Sequence, residues 1–402
     1  MVQLTNYTVI LYILFIMYIA RTAEDMLRRM LQSRKVGLVL GARQVGKTTL
    51  VERVLQGQNA LVLNLDVEVD KQRLLAVAAL SPDAAHTALG RPDILVIDEA
   101  QRLPETSRIV KGWYDTRSPL KVILLGSSSL DLVSQAVESL AGRNEKLILP
   151  PLLFGEILAA QPWYADTFTR EQLEEHFADQ LQTLLLSSMA FGHYPEAVTT
   201  EDKTSYLLNL ISDYLWKDIL QLGLVKTPDL IRRLLMLLAH QVGSEVSINE
   251  LATNLGIARP TVTRYLDLLE QTFVIFRLPA FSTNPRKEIN KSQKIFFWDT
   301  GIRNALLNDL STHPLRPDIG ALWENWVVAE FARQNLLGGQ RKNLYFWRTR
   351  AGAEVDLVVK EGGEMQAYEI KWRKRRSAKR AFTSRYGIDV QIVNHTAPLV
   401  EL

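Results

Sequence analysis

The period of apolar and polar positions changes along the chain. Between residues 36 and 150, short apolar runs such as "VGLVL", "DILVID" and "KVILLG" alternate with helical spacing, as at Leu50, Val54 and Leu55. Short apolar runs separated by helices predict buried parallel strands in an α/β sheet. Residues 165 to 240 are helical by pattern, with leucine-rich runs such as "LIRRLLMLLAHQV". From Ser247 the pattern predicts two short helices joined at Gly256, then alternating apolar strands. Ser247 and Glu250 fit a capping box, Leu251 and Leu255 face inward, and the second helix starts near Pro260, which a first turn tolerates.

Toward the C-terminus the period falls to two. In "AGAEVDLVVKEGGEMQAYEIKW", residues 351 to 372, Glu354 and Asp356 share one face and Val355 and Leu357 the other. On the return strand Glu369 and Lys371 share a face, with Tyr368 and Ile370 opposite. With Gly362-Gly363 as a two-residue loop, Asp356 lies across from Glu369, and Glu354 across from Lys371. Like charges directly across a ladder cost up to ~1 kcal/mol. A bound cation could offset that cost, but the segment alone favours a solvated hairpin face with Lys371 neutralising the acids.

The first candidate chemistry is at residues 41–49, "GARQVGKTT", a glycine loop between an apolar strand and a helix. This is G-x-x-x-x-G-K-T in its required context. Gly41, Ala42, Arg43, Gln44, Val45, Gly46 and Thr49 would turn backbone N–H groups around phosphate oxygens. Lys47 would reach the β and γ phosphates, and Thr48 would hold Mg²⁺. The stretch "DILVIDEAQRLP", residues 93 to 104, is a buried-type strand ending in two acids, Asp98 and Glu99, where open α/β sheets bind ligands. Asp98 is expected to bind the Mg²⁺ through water, and Glu99 to polarise the attacking water. The strand "KVILLGSSS", residues 121 to 129, would offer Ser127 and Ser128 near the γ-phosphate, or these serines would cap a helix. Arg143 is an arginine finger, in trans or in cis, or a surface arginine.

Residues 18 to 150 resemble the ATPase core of a large prokaryotic family of AAA-type, STAND-like ATP-binding proteins, through "YIAR", "GARQVGKTTL", "LNLD", "VIDEAQ" and "LAGR". The family commonly has Thr where this chain has Leu125, which weakens a sensor role for that strand. "FGHYPEAV", residues 191 to 198, also resembles the family, and His193 within it reads as a packing or hydrogen-bonding residue. "KIFFWDTGIRNALL", "GALWENWVVAEFARQ" and "LYFWRTRAGAEVDLVV" resemble the family's C-terminal domain, many members of which look like restriction-endonuclease folds. Such folds need a helix Glu, then Asp in one strand and Glu-x-Lys in the next. The resemblance implies Glu324, Asp356 and Glu369 as metal ligands with Lys371 alongside. Glu330 is a competing helix acid, but Arg333 and Gln334 follow at i+3 and i+4, so a surface pairing is expected for it. A degenerate fold that only binds nucleic acid is the alternative.

The two short helices followed by strands describe a winged helix-turn-helix. Arg259, Thr261, Thr263 and Arg264 lie where a recognition helix would touch phosphate or base edges. Packing on protein is the competing use of such a module.

The fold class expected is therefore α/β: a P-loop NTPase parallel sheet of ASCE/AAA-like type, a helical lid, a winged helix-turn-helix and an α/β restriction-endonuclease-like domain. The divisions are an apolar extension over 1–17, the ATPase core over 18–164, the lid over 165–243, the winged module over 244–283 and the C-terminal domain over 284–402. The run "VILYILFIMYIA", residues 9 to 20, is shorter than the ~17 to 25 residues of a spanning helix. Met17 lies inside it, and the family's Tyr-Ile-x-Arg start agrees with Met17 as the first residue, so no stable membrane association is expected. The net charge of +3 is too small to prove a polyanion partner, although "KWRKRRSAKR", residues 371 to 380, carries seven Lys or Arg. The absence of cysteine excludes disulfides and thiolate metal sites and fits a cytoplasmic protein. The expected function is Mg²⁺-dependent ATP hydrolysis coupled to the winged and nuclease-like domains on DNA, with a homo-oligomer formed if Arg143 acts in trans. A metal-dependent nuclease regulated by ATP, and a non-cutting ATP-dependent switch, are the alternatives.

Overall fold

The structure is a computed structural model, and it describes residues 18–126, 140–215, 228–282, 293–373 and 380–399. Strands β1 (Val36–Leu40), β2 (Ala60–Asn64), β3 (Ile94–Asp98), β4 (Lys121–Gly126) and β5 (Asn144–Ile148) form one sheet in the order β2-β3-β4-β1-β5. Every pairing in it is parallel. Leu38, Leu40, Leu95, Ile97, Val122 and Leu124 pack on one face of this sheet, and Val39, Val96, Ile123 and Leu125 on the other. Successive side chains of a strand point to opposite faces, so a strand covered on both sides needs an unbroken apolar run. β4 stands between β1 and β3, which places the carboxyl ends of both strands beside the tip of β4. Ligands of open α/β sheets bind at such a crossover.

The leucine-rich stretch that follows forms the helices Arg170–His176, Ala178–Phe191, Pro195–Thr199, Lys203–Asn209 and Pro228–His240. β6 (Glu245–Val246) comes next, then the helices Ile248–Leu255 and Arg259–Gln271, β7 (Ile275–Pro279) and β8 (Gln293–Phe297). The Ser247 hydroxyl accepts from the Glu250 N–H at 3.3 Å, and Gly256 ends the first helix of the pair with φ at 68°. The sheet order is β6-β8-β7, antiparallel. Because β8 pairs with both other strands, this unit extends to Phe297, past the expected boundary at residue 283.

The C-terminal part begins with the long helix Ile319–Leu337 and continues through β9 (Asn343–Arg348), β10 (Glu354–Glu361), β11 (Glu364–Ile370), the helix Arg380–Tyr386 and β12 (Val390–Val393). The sheet order is β12-β11-β10-β9. Glu361 pairs with Glu364 around Gly362-Gly363, so the loop is the two-residue turn read from the sequence. The register against β9 shifts between Val355 and Val358, a β-bulge that places Asp356 and Leu357 together opposite Phe346. On its other side Phe346 bridges to Ala280, and its carbonyl accepts the Phe281 N–H at 2.6 Å. One apolar core runs without a break from Ala23 in the first part of the chain to Val393 in the last. Among the described residues no helix is long and apolar enough to cross a membrane, and residues 1–17 lie outside them.

Candidate functional site

β1 delivers the chain into the glycine loop, and the helix Lys47–Val54 takes it away. A Cβ at Gly41 would collide with the Leu149 carbonyl, so only glycine lets the loop approach β5 this closely. Gly46 caps the helix in the left-handed region at φ 94°. Gln44 adopts φ 60° without being glycine, and its side-chain oxygen accepts from the Tyr206 hydroxyl at 3.0 Å. The Lys47 ammonium is buried and donates to the carbonyls of Gly41 at 3.0 Å and Ala42 at 2.9 Å.

The Thr48 hydroxyl donates to Asp98 Oδ2 at 2.8 Å, while Asp98 Oδ1 accepts the Glu99 N–H at 2.8 Å. A hydroxyl and a carboxylate brought together at the first turn of this helix are the hard oxygen donors that Mg²⁺ takes, so the residues present fit that ion. Glu99 holds φ at 50°, a strained position for a non-glycine residue, and hydrogen-bonds to Gln101. Burial raises the Glu99 carboxyl above its ordinary range; the Lys47 charge opposes this and the Asp98 charge adds to it. Ser127 and Ser128 follow directly on β4 but lie outside the described residues.

Arg143 does not reach this site in its own chain. It immediately precedes β5, and its carbonyl accepts from Val36 at the start of β1, so it stands at the opposite end of the sheet. Five residues of strand separate the two ends by ~16 Å. Its guanidinium pairs with Asp115 at 2.7 Å. The arginine-finger reading in cis is thereby corrected.

The C-terminal acids do come together, in an ion-paired form. Asp356 Oδ2 accepts the Ile370 N–H at 2.7 Å, and Lys371 Nζ lies 3.5 Å from Asp356 and 3.6 Å from Glu369. Lys294, from β8, pairs with Glu324 at 2.8 Å and Glu354 at 2.6 Å. Glu354 is therefore neutralised by Lys294 rather than by Lys371. Burial raises the Glu324 carboxyl to about 7, against the pull of Lys294 and with a contribution from Asp356. Among the described residues no three acidic or histidine side chains are grouped so that they could hold a metal ion. The donor atoms are the right kind for Mg²⁺, but with two ammonium groups among them the arrangement does not itself fit one.

On the helix Arg259–Gln271, Arg259, Thr263 and Arg264 are exposed and Thr261 is half-buried, while Val262, Tyr265 and Leu266 face the core. Arg264 lies 5.8 Å over the Tyr265 ring.

Other buried polar residues carry the joints between these parts. His193 is fully buried; its Nδ1 lies 2.7 Å from the Leu152 carbonyl, and its Nε2 accepts from the Trp326 indole at 3.0 Å. The proton therefore sits on Nδ1. Burial, then the Arg333 charge, holds the His193 pKa well below the usual range. Asp299 accepts the N–H groups of His193 at 2.6 Å and Ile302 at 3.0 Å, locking "FGHYPEAV" to "WDTGIRN". Glu330 and Arg333 pair at 2.7 Å, as their spacing suggested, but each side chain is only 2% exposed. The expected surface pairing is a buried one, because most of the helix from Leu322 to Arg333 is enclosed. Arg21 is likewise buried and pairs with Glu156 at 3.1 Å. Their sequence separation left no local signal beyond the Arg of "YIAR".

Known proteins share this organisation. An AAA domain model matches residues 33–158, and models of two domains of unknown function, DUF8612 and DUF4143, match residues 182–312 and 319–397. The uncharacterized protein Rv2008c of Mycobacterium tuberculosis is 34% identical over 381 residues, covering 92% of this chain and 78% of that protein. The uncharacterized protein MJ1637 of Methanocaldococcus jannaschii is 24% identical over 352 residues, covering 81% of this chain and 71% of that protein. The Walker-type ATPase PABY2304 of Pyrococcus abyssi is similar in fold, with a TM-score of 0.50 at 16% identity over 72% of this chain and 96% of that chain. With its AAA-type P-loop ATPase domain followed by two domains of unknown function, the chain belongs to the family of the mycobacterial protein Rv2008c.

Proposed function

We propose that the protein binds ATP with Mg²⁺ at residues 41–49 and hydrolyses it. The reading is carried by one observation: Thr48 of the phosphate loop is hydrogen-bonded to Asp98 at the tip of a neighbouring strand, with Glu99 next in the chain. Lys47 would exchange the Gly41 and Ala42 carbonyls for phosphate oxygens, an exchange of like acceptors around a buried ammonium. Thr48 and Asp98 would hold Mg²⁺, which supplies charge neutralisation across the β and γ phosphates. Glu99, with its carboxyl raised by burial, would accept a proton from the attacking water as the γ-phosphoryl group leaves ADP. Arg143 would act only on the site of a second copy, since its own loop is at the far end of the sheet.

The nucleotide state would be read out on DNA through the exposed face of the helix Arg259–Gln271. Two helices, a left-handed glycine turn and a three-stranded antiparallel sheet support a winged helix-turn-helix there. ATP turnover measured with and without duplex DNA tests this. Stimulation by DNA supports the coupling, and identical rates point to a switch that does not act on DNA.

A second reading, nuclease action by the C-terminal domain, is favoured by Asp356, at a β-bulge, converging with Glu369 and Lys371, and it requires a metal to displace the ammonium groups that now pair with these acids. Bulges often re-aim side chains beside active sites. Cleavage of DNA or RNA in Mg²⁺ or Mn²⁺, abolished in Asp356→Ala, supports it. No cleavage by the wild type leaves a domain that only binds.

A further inference from the structure

We propose that Arg21, Glu156 and Glu330 are positioning residues that link occupancy of the phosphate loop to the helix carrying Glu324, an inference that rests on the nucleotide-binding reading above. The Arg21 guanidinium donates to the Val45 carbonyl, inside the phosphate loop, at 3.1 Å, and to the Pro150 carbonyl at 2.7 Å. Its Nε pairs with Glu156 Oε2 at 3.1 Å. Glu156 also accepts the N–H groups of Thr22 at 2.7 Å and Leu153 at 2.9 Å. The next residue, Phe154, donates its N–H to Glu330 Oε1 at 3.0 Å. Glu330 Oε2 pairs with Arg333, whose guanidinium donates to the Trp298 carbonyl at 3.0 Å.

The segment from Leu149 to Glu156 thus touches the phosphate loop at one end and the helix Ile319–Leu337 at the other. Leu149 is fixed at the first end by its N–H on Leu40 and its carbonyl against Gly41. Glu330 and Glu324 lie on that one helix, six residues or ~9 Å apart along its axis. Charge-assisted bonds in a dry interior hold their geometry more tightly than neutral ones. A shift of the Val45 carbonyl on phosphate entry therefore passes to Arg21, then to Glu156 and the Phe154 N–H, and so to Glu330. A cavity of about 250 Å³ lined by Thr22, Leu153, Phe154, Glu156, Glu330 and Gln334 gives the segment room to move.

The test is hydrogen–deuterium exchange of residues 319–337 in the full chain, with and without a non-hydrolysable ATP analogue and Mg²⁺, beside a fluorescent-nucleotide titration. In the wild type the analogue slows exchange in this helix roughly five- to hundredfold, the usual span of coupling between sites. Glu330→Ala binds the analogue within about twofold of wild type but loses that protection, because Glu330 meets the segment leading from the loop at the Phe154 N–H. Arg21→Lys keeps the charge but cannot span Val45, Pro150 and Glu156 together. It loses part of both affinity and protection, and it decides the matter if Glu330→Ala fails to fold. Tight binding by the wild type with no protection, or undiminished protection in Glu330→Ala and Arg21→Lys, overturns the link alone. No nucleotide binding by the wild type overturns the reading beneath it as well.

Discussion

The Thr48 hydroxyl donates a 2.8 Å hydrogen bond to Asp98, joining the first turn of the phosphate-loop helix to the tip of β3. Strand β1, which leads into that helix, and β3 are not paired, since β4 stands between them. Only the crossover in strand order brings a hydroxyl and a carboxylate this close, and both are oxygen donors suited to Mg²⁺. Thr48→Ala is expected to weaken ATP binding about tenfold or more in Mg²⁺, the loss of one charge-assisted ligand interaction, and to change it little in EDTA. Titration calorimetry under both conditions checks this. An equal loss in each would mean that Thr48 acts on the loop's shape and not on the ion.

His193 makes stability depend on pH in a definite direction. The folded state keeps the imidazole neutral because burial and Arg333 depress its pKa, and Glu330, the acid facing it, is itself paired with Arg333. The unfolded chain takes up a proton near the ordinary value of about 6.5. The unfolded state therefore binds more protons below that pH, and stability from this residue is full above it and lost as pH falls. The expected slope is about 1.4 kcal/mol per pH unit below 6.5. Urea unfolding between pH 5 and 7 should show that slope reduced in His193→Gln. Parallel curves for the two proteins would contradict it.

Lys371 sits between two acids that face each other across the hairpin. Lys371→Ala leaves Asp356 and Glu369 opposed in a mostly buried setting. A loss of about 2 kcal/mol is expected, the size of a charged hydrogen bond removed beside a repulsive pair. Chemical denaturation measures it, and Lys371→Arg should recover much of the loss. Unchanged stability in Lys371→Ala would show that Ile370 N–H and solvent already compensate the acids.

How much was legible in the sequence follows how local each feature is. The phosphate loop was readable because its glycines and Lys47 act within one turn of chain. The hairpin register was readable because Gly362-Gly363 fixes the pairing of every residue on both strands. The bulge at Asp356 was not, since Phe346 is held from its far side by Phe281, a contact between distant segments. Lys294 was missed as the partner of Glu324 and Glu354 for the same reason. Arg143 could have been placed from the start: a residue just before a parallel strand stands at the end away from the ligand. Arg21 stood out only as part of "YIAR", and Glu330 read as a surface acid, because burial by another part of the chain leaves no mark in local spacing.

Arg264 lies exposed on the second helix of the proposed winged module. If it contacts a DNA phosphate, Arg264→Ala should weaken binding at every sequence tested and lower the slope of log affinity against log salt by about one. Fluorescence anisotropy across a salt series reads both quantities. An unchanged slope would assign this face to protein contacts.

In the proposed function, Glu99 and Lys47 make this fold a working ATPase. Phosphate release from ATP in Mg²⁺ is the direct measurement, with the wild type, Glu99→Gln and Lys47→Ala compared at equal folded concentration. Turnover is expected in the wild type, with a fall of about 10²-fold or more in Glu99→Gln, the usual worth of a general base, and nucleotide binding retained. Lys47→Ala should lose binding and turnover together. Wild-type rates in Glu99→Gln, or phosphate release unaffected by Lys47→Ala, would contradict it.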